Sequence, residues 1–285
     1  MTPVAVYIPI KNGEAWCAGL RLQPGLSYVA FDNASTDGSA DLLRARGVEV
    51  ITHPRDIGRI GNWSACVEHF VRSGKPWMKW LFAGDSLGDD FAAVASRAIA
   101  AYPEARMIVG DYMHIGQTVR SRVQLMQSAR LFEPIESLRL AAGSGNWFHA
   151  PVNQMFHRDA LADGVDYGPF VWGADFYFCI NVASQHQVGY WPEVFGSFHE
   201  TSRAHFLNSG QSIQALLEVS WVRQIAAARL KALTGDSEEF ERLSANVEDS
   251  ALRRLIAHVA SRGVAGRTLL AGWRAMRRTF RSRGR

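Results

Sequence analysis

An α/β fold with a mainly parallel sheet, followed by a helical region, is predicted by three features of the chain. From Met1 to about Met113, short apolar runs alternate with amphipathic stretches, the pattern of successive βαβ units. The second run, Tyr28-Val29-Ala30-Phe31, breaks into Asp32-Asn33-Ala34-Ser35-Thr36-Asp37-Gly38-Ser39, a cluster of turn-forming and acidic residues. A buried strand ending this way presents carboxylates and backbone N–H groups at its C-terminal edge, where open α/β sheets bind ligands. From Ser212 onward the chain is rich in Ala, Leu and Arg and reads as helices.

The opening strand is Val4 to Ile10, and Ser27 to Phe31, Val48 to Thr52, Trp77 to Phe82 and Met107 to Asp111 follow it. Each is a short apolar run, set between amphipathic stretches. Helices are expected between them at Gly38 to Arg46, Ile60 to Ser73 and Asp90 to Tyr102. Asp89 or Asp90 is expected to cap the last, since an N-cap oxygen satisfies otherwise orphaned N–H groups. The stretch Ile115 to Thr201 is less regular and carries Trp147, His149, His157, Trp172, Asp175, Trp191 and His199. Such interleaving suits either a ring-stacking pocket or an ordinary core and rim, and periodicity does not separate the two. Further helices are predicted at Ile213 to Thr234, Ser237 to Ser244 and Ser250 to Ser261, giving one domain over residues 1–210 and a helical region over 211–285.

With 285 residues, 47% of them hydrophobic and 20% charged, the chain has apolar material for one large domain plus a helical appendage. No apolar run is long enough to span a bilayer, and the N-terminus enters a strand without a basic region and apolar core, so a cytoplasmic protein is expected. Cys17, Cys66 and Cys179 are widely separated, which argues against a disulfide framework and a cysteine zinc site. The net charge of +4 is uneven: after Asp249 there is no acid and there are many arginines. No nucleic-acid recognition motif accompanies that charge, and a nucleic-acid partner is not expected.

The residues from Phe31 to Ser39 match the pattern V-D-[DN]-x-S-x-D-x-[ST], and they follow an apolar strand ending in Pro9 and the polar loop Lys11-Asn12-Gly13. Together these resemble the start of a family-two glycosyltransferase of the GT-A fold. A second segment, His53-Pro54-Arg55-Asp56-Ile57-Gly58-Arg59-Ile60-Gly61-Asn62-Trp63, resembles that family's N-x-G-x-x-x-N, with Asp56 in place of the first Asn. In a third, Leu81-Phe82-Ala83-Gly84-Asp85, the family's D-x-D cluster keeps only Asp85, because Phe82 and Gly84 stand where acids are usual. The fourth comprises Trp172-Gly173-Ala174-Asp175, then Gly189-Tyr190-Trp191-Pro192-Glu193, then His199-Glu200-Thr201-Ser202. It resembles the family's acidic helix start, G-x-x-x-x-P-E strand and H-x-x-S loop.

The resemblance covers about Val4 to His205 and implies a Rossmann-like, mixed but mainly parallel sheet flanked by helices. It implies transfer of a sugar from a nucleoside-diphosphate sugar to a hydroxyl of a glycan or lipid-linked acceptor, with inversion, as in polysaccharide and cell-envelope synthesis. It assigns Asp175 as general base and Pro9, Asn12, Asp32, Asn33, Arg59, Asn62 and Asp85 to the donor. Asp85 and His199 would hold a divalent metal, Mn2+ or Mg2+, and Asn153 and Trp172 would meet the acceptor. Trp172, Phe176 and Tyr177 around Asp175 suit a raised carboxyl pKa, as a base accepting a proton from a hydroxyl needs. The reading from residues alone leaves Asp175 as a helix cap, Arg59 as an exposed arginine and His199 as a structural histidine open. The alternative function is a non-catalytic nucleotide-sugar or glycan-binding member of the same fold, for which Gly84 speaks.

In the tail, Val264, Leu269, Leu270, Trp273, Met276 and Phe280 recur at near-helical spacing with Arg267, Arg274, Arg277, Arg278 and Arg281 between them. Such a helix suits the inner face of an anionic membrane, packing on the catalytic domain, or a homodimer contact.

Overall fold

The computed structural model describes residues 4–116, 120–164, 166–199 and 212–261. Among them, ten strands form one sheet in the order β3-β2-β1-β4-β9-β6-β10-β5, with β7 beside β6 and β8 beside β10. The strands are β1 (Val4–Ile10), β2 (Ser27–Asp32), β3 (Glu49–Thr52), β4 (Trp77–Trp80), β5 (Ser86–Leu87), β6 (Met107–Ile115), β7 (Arg120–Val123), β8 (Arg130–Phe132), β9 (Gln154–His157) and β10 (Val188–His199). The helices are α1 (Glu14–Gly19), α2 (Ser39–Ala45), α3 (Gly58–Arg72), α4 (Phe91–Ala101), α5 (Pro134–Ser144), α6 (Ala174–Ala183), α7 (Ser212–Thr234) and α8 (Ser237–Ser261). The tail beyond residue 261 and the 200–211 segment lie outside the described residues, so the calls on the basic helix and the H-x-x-S loop are not placed.

β1, β2, β3 and β4 run parallel, and β9 enters antiparallel between β4 and β6. All of β1 is buried, which is why its sequence is a continuous apolar run instead of an alternating one. The register sets Ile10 beside Asp32 and Tyr7 beside Trp80, so the C-terminal ends of β1, β2 and β4 share one edge. β6 outruns its prediction: Met107 to Ile115 pairs with β10 through two register shifts and carries Tyr112 and His114 past the sheet's centre.

α3 buries Asn62, Cys66, Val67 and Phe70, an i, i+4, i+5, i+8 stripe against β1 and β2. It ends at Ser73, after which Gly74 takes φ 72, the left-handed turn a helix C-terminus requires. Asp90 is the N-cap residue of α4, at φ −111, ψ 30 and so outside the extended region usual for a capping residue, and its side chain does not make the expected cap hydrogen bond. Gln23 Oε1 accepts from Ala92 N–H at 3.2 Å instead.

The C-terminal helices differ from prediction in being two, since α8 runs unbroken through Ala245–Asp249. Val222, Ala226, Ala227 and Leu230 of α7 and Leu243 of α8 enter the same apolar core as Phe156 of β9 and Ile180 of α6. Arg223 of α7, 5% exposed, donates to Ala142 O and Gly143 O, occupying carbonyls that the C-terminus of α5 leaves open. Arg139 of α5 pairs with Glu239 of α8 at 2.7 and 3.0 Å. No described helix is long and apolar enough to cross a membrane.

Candidate functional site

The turn after β2 is bonded to the turn after β1. Asp32, 1% exposed, accepts from Ser35 N–H at 3.2 Å, a local turn of the kind Asp favours. Asn12, at φ 51, accepts from Thr36 N–H at 2.8 Å and gives its own N–H to Ser35 Oγ at 2.9 Å. Asp37 accepts from Ser39 N–H and Glu14 N–H, both at 3.1 Å, and the Ser39 hydroxyl foremost holds its carboxyl below the usual range. The polar residues of this segment therefore bind each other and set the shape of the edge.

That edge is the floor of a cavity of about 720 Å³, within the range of small-ligand sites. Pro9, Asn33, Arg59, Asn62, Asp85, Trp172 and Asp175 line it; Asn12, Asp32, Asn153 and His199 do not. Asn33 is fixed by donating to Asp56 Oδ1 at 2.6 Å and accepting from Ile57 N–H at 2.9 Å. Asp56 also pairs with Lys11, which depresses its pKa, and both line the cavity. Asn62 gives its amide to Phe31 O at 2.9 Å and meets His53 Nε2 at 3.1 Å, so it joins α3 to β2. Asn153, fully buried, donates to Gly110 O and Phe148 O and supports the cavity wall from behind, while its side-chain Oδ1 has no hydrogen-bond partner among the described residues.

Gly58, at φ 76, turns the chain into α3 and puts Arg59 at its first turn. The guanidinium lies 5.2 Å from the ring centroids of both Trp63, one helical turn on, and Trp172. Burial lowers its pKa from the ordinary arginine value while Asp175 and Glu218 oppose that shift.

Asp175 occupies the first turn of α6, and Gly173, not Asp175, is the N-cap residue. Its carboxyl is raised to about 6, chiefly by burial, against the lowering effects of Phe176 N–H at 2.8 Å and of Arg59. A carboxylate with that pKa is ionised at neutral pH yet basic enough to receive a proton.

Asp85 is 5% exposed and accepts from His199 N–H at 3.4 Å. Beneath it lies Lys79, fully buried, bonded to Pro151 O at 3.3 Å and to Val152 O, with Nζ 5.6 Å from the Phe91 ring centroid. Burial pushes Asp85 up and Lys79 down, and each charge opposes the other's shift. A hard divalent cation needs several oxygen ligands, and here the one acid of the cluster already has an ammonium as neighbour. Among the described residues no three His, Cys, Asp or Glu converge as a metal set. The described residues therefore do not fit a protein-held Mn2+ or Mg2+.

The motifs missed the far wall, formed by Tyr112, His114, Asn146, His149 and Val219. His149, at φ 57, faces Tyr112 OH with Nδ1 at 3.3 Å, and burial holds its imidazole below the ordinary pKa. His114 stacks on Phe198 at 6.0 Å between centroids. These residues come from β6, the loop after α5 and α7, and no spacing in the sequence links them.

No protein-family model matches the chain, and no curated protein matches it in sequence. Solved structures do match its fold. Staphylococcus aureus TarS 1–349 in complex with UDP-GlcNAc superimposes with a TM-score of 0.62 at 10% identity, over 86% of this chain and 71% of that one. The mannosyltransferase PcManGT from Pyrobaculum calidifontis, in complex with GDP-Man and Mn2+, gives a TM-score of 0.51 at 14% identity, over 96% of this chain and 80% of that one. A further S. aureus TarS structure matches with a TM-score of 0.58 at 12% identity, over 90% of this chain and 43% of that one. The mixed, mainly parallel sheet with flanking helices is thus the GT-A-type fold of these glycosyltransferases, the fold class that the sequence predicts.

Proposed function

We propose that this protein transfers a sugar from a nucleoside-diphosphate sugar to a hydroxyl acceptor, with inversion, and that Asp175 is the base. The observation that carries the reading is that Arg59 and Asp175, distant in sequence, line one cavity at the C-terminal edge of β1, β2 and β4. The neighbouring structures are complexes with UDP-GlcNAc and with GDP-Man, which supports the same donor class here.

In this mechanism the nucleoside lies on the side of Pro9, Asn33, Lys11 and Asp56, and Arg59 meets the diphosphate. The acceptor enters from the side of Trp172, whose indole offers a ring face to a sugar. Asp175 removes the hydroxyl proton as that oxygen attacks the anomeric carbon, and the bond to the diphosphate breaks on the opposite face. One displacement of this kind inverts the configuration. The charge that develops on the leaving group is met by Arg59, held ready between two indoles.

D175N tests the assignment: it should bind a nucleotide sugar as the wild type does and lose transfer. Transfer at near wild-type rate would remove Asp175 from the role. The second reading, a binding protein without turnover, is favoured by the solitary Asp85; it predicts calorimetric binding of nucleotide sugars with no product under any acceptor or metal condition.

A further inference from the structure

Glu218 belongs to α7, outside the α/β sheet, and to no motif of the sequence. It is nevertheless 6% exposed, and its Oε2 accepts three successive backbone N–H groups, from Val171 at 2.9 Å, Trp172 at 2.5 Å and Gly173 at 2.9 Å. Its other oxygen accepts from Gln214 Nε2 at 2.7 Å, one turn back on the same helix. Burial alone would raise this carboxyl; the N–H bonds outweigh it and hold the pKa below the ordinary glutamate value. The approach is close: a Cβ on Gly173 would lie 3.3 Å from Val222 Cγ2 and 3.4 Å from Glu218 Cβ, so a larger residue would make these side chains give by a few tenths of an ångström.

The three amides are the segment that enters α6, so their position fixes two groups of the cavity. Trp172, in the middle, is the indole on the outer side of Arg59. Asp175 follows three residues on, in the first turn of α6. The carboxylate of Glu218 also acts on Arg59, in the sense that keeps the guanidinium charged. Val171, 45% exposed, does not anchor this backbone itself, and the buried Phe170 and Ala174 hold it only at its two ends.

We infer that Glu218 is a positioning residue: from the C-terminal helices it holds the Val171–Gly173 backbone so that Trp172 covers Arg59 and Asp175 faces the cavity. The inference rests on the donor-site reading given above, and it makes α7 part of the site instead of an appendage to it. A carboxylate is suited to the task because it accepts several bonds at once and, being charged, makes each stronger than a neutral acceptor would.

The experiment uses the full chain as wild type, E218A, E218Q, W172A and E218A/W172A. Hydrogen exchange is read at the 171–173 amides and at α4 as a distant control, and binding of UDP, GDP, CDP, ADP and dTDP is read by calorimetry. For E218A we expect exchange at 171–173 to quicken by about tenfold or more with α4 unchanged, and nucleotide affinity to fall about tenfold. E218Q, which keeps one acceptor oxygen, should recover part of both. The E218A/W172A protein should bind no worse than W172A, because Glu218 acts through Trp172. Wild-type exchange and affinity in E218A overturn the inference. So does faster exchange that appears equally in α4, which would make Glu218 a general stability residue, or full additivity in the double variant. Should E218A not fold, E218Q carries the same comparison. Wild-type protein that binds none of the nucleotides would defeat the donor-site reading, while the exchange at 171–173 still decides the clamp.

Discussion

Arg59 lies with its guanidinium carbon 5.2 Å from the ring centroid of Trp172, which joins the first turn of α3 to the loop entering α6. The pair spans the cavity mouth and brings together two segments that sequence reading treats separately. A partly desolvated cation–π contact contributes about 1–2 kcal/mol, so W172A should weaken donor binding roughly 5- to 30-fold. W172F should lose less, and calorimetry on both variants checks the order.

Asp175 gives a pH dependence of activity with a definite direction. As a base it must be ionised, so kcat/KM should rise with unit slope up to about pH 6 and then level. A profile that falls across that window would assign the proton transfer to another group.

The same carboxyl gives a stability effect of opposite sense. Its folded pKa, about 6, lies above the ordinary 3.8, so the native state holds the extra proton between these values and stability declines as pH rises through the window. D175N removes that cost. It should leave stability unchanged near pH 4 and raise it above pH 6, by up to about 2 kcal/mol after allowance for water in the cavity. Thermal melts of both proteins across pH 4 to pH 8 check this.

Lys79 and Asp85 are both buried and act on each other from beyond ion-pair contact, and burial brings Lys79 down and Asp85 up, each to about 7. K79M should lower stability by about 1–3 kcal/mol at pH 8, because it leaves Pro151 O and Val152 O without their donor while Asp85, raised to about 7, is ionised. The loss should shrink at pH 5, since Asp85 is then protonated and the charged buried lysine is gone. K79M/D85N should recover the part of the loss at pH 8 that comes from the ionised Asp85, so its stability should depend less on pH than that of K79M, as read by denaturant unfolding.

Chelation tests the fit of the cation cluster. Because Phe82 and Gly84 replace two acids and Lys79 lies beneath Asp85, nucleotide-sugar binding should be the same within error in EDTA and in magnesium. Binding that vanishes on chelation would place a metal ligand elsewhere in the chain.

The sequence by itself determined the parallel sheet edge. An apolar run such as Val4–Ile10 can be satisfied only by burial on both faces, and the Asp32 to Ser39 turn can follow only a strand's end, so order and type of these elements are local consequences of composition. Asp175 and Arg59 stand out in the sequence because each belongs to a short motif, and the structure brings both to one cavity. Tertiary structure decided what such residues do. It closed Asp32 on its own turn and used Asn12 to bond the two loops, set Lys79 near Asp85, and built the far wall from Tyr112 and His149. It also brought Glu218 onto the backbone before α6, from a helix about forty-five residues away in the chain. Packing chooses such partners across long separations, and neither periodicity nor spacing carries a trace of that choice.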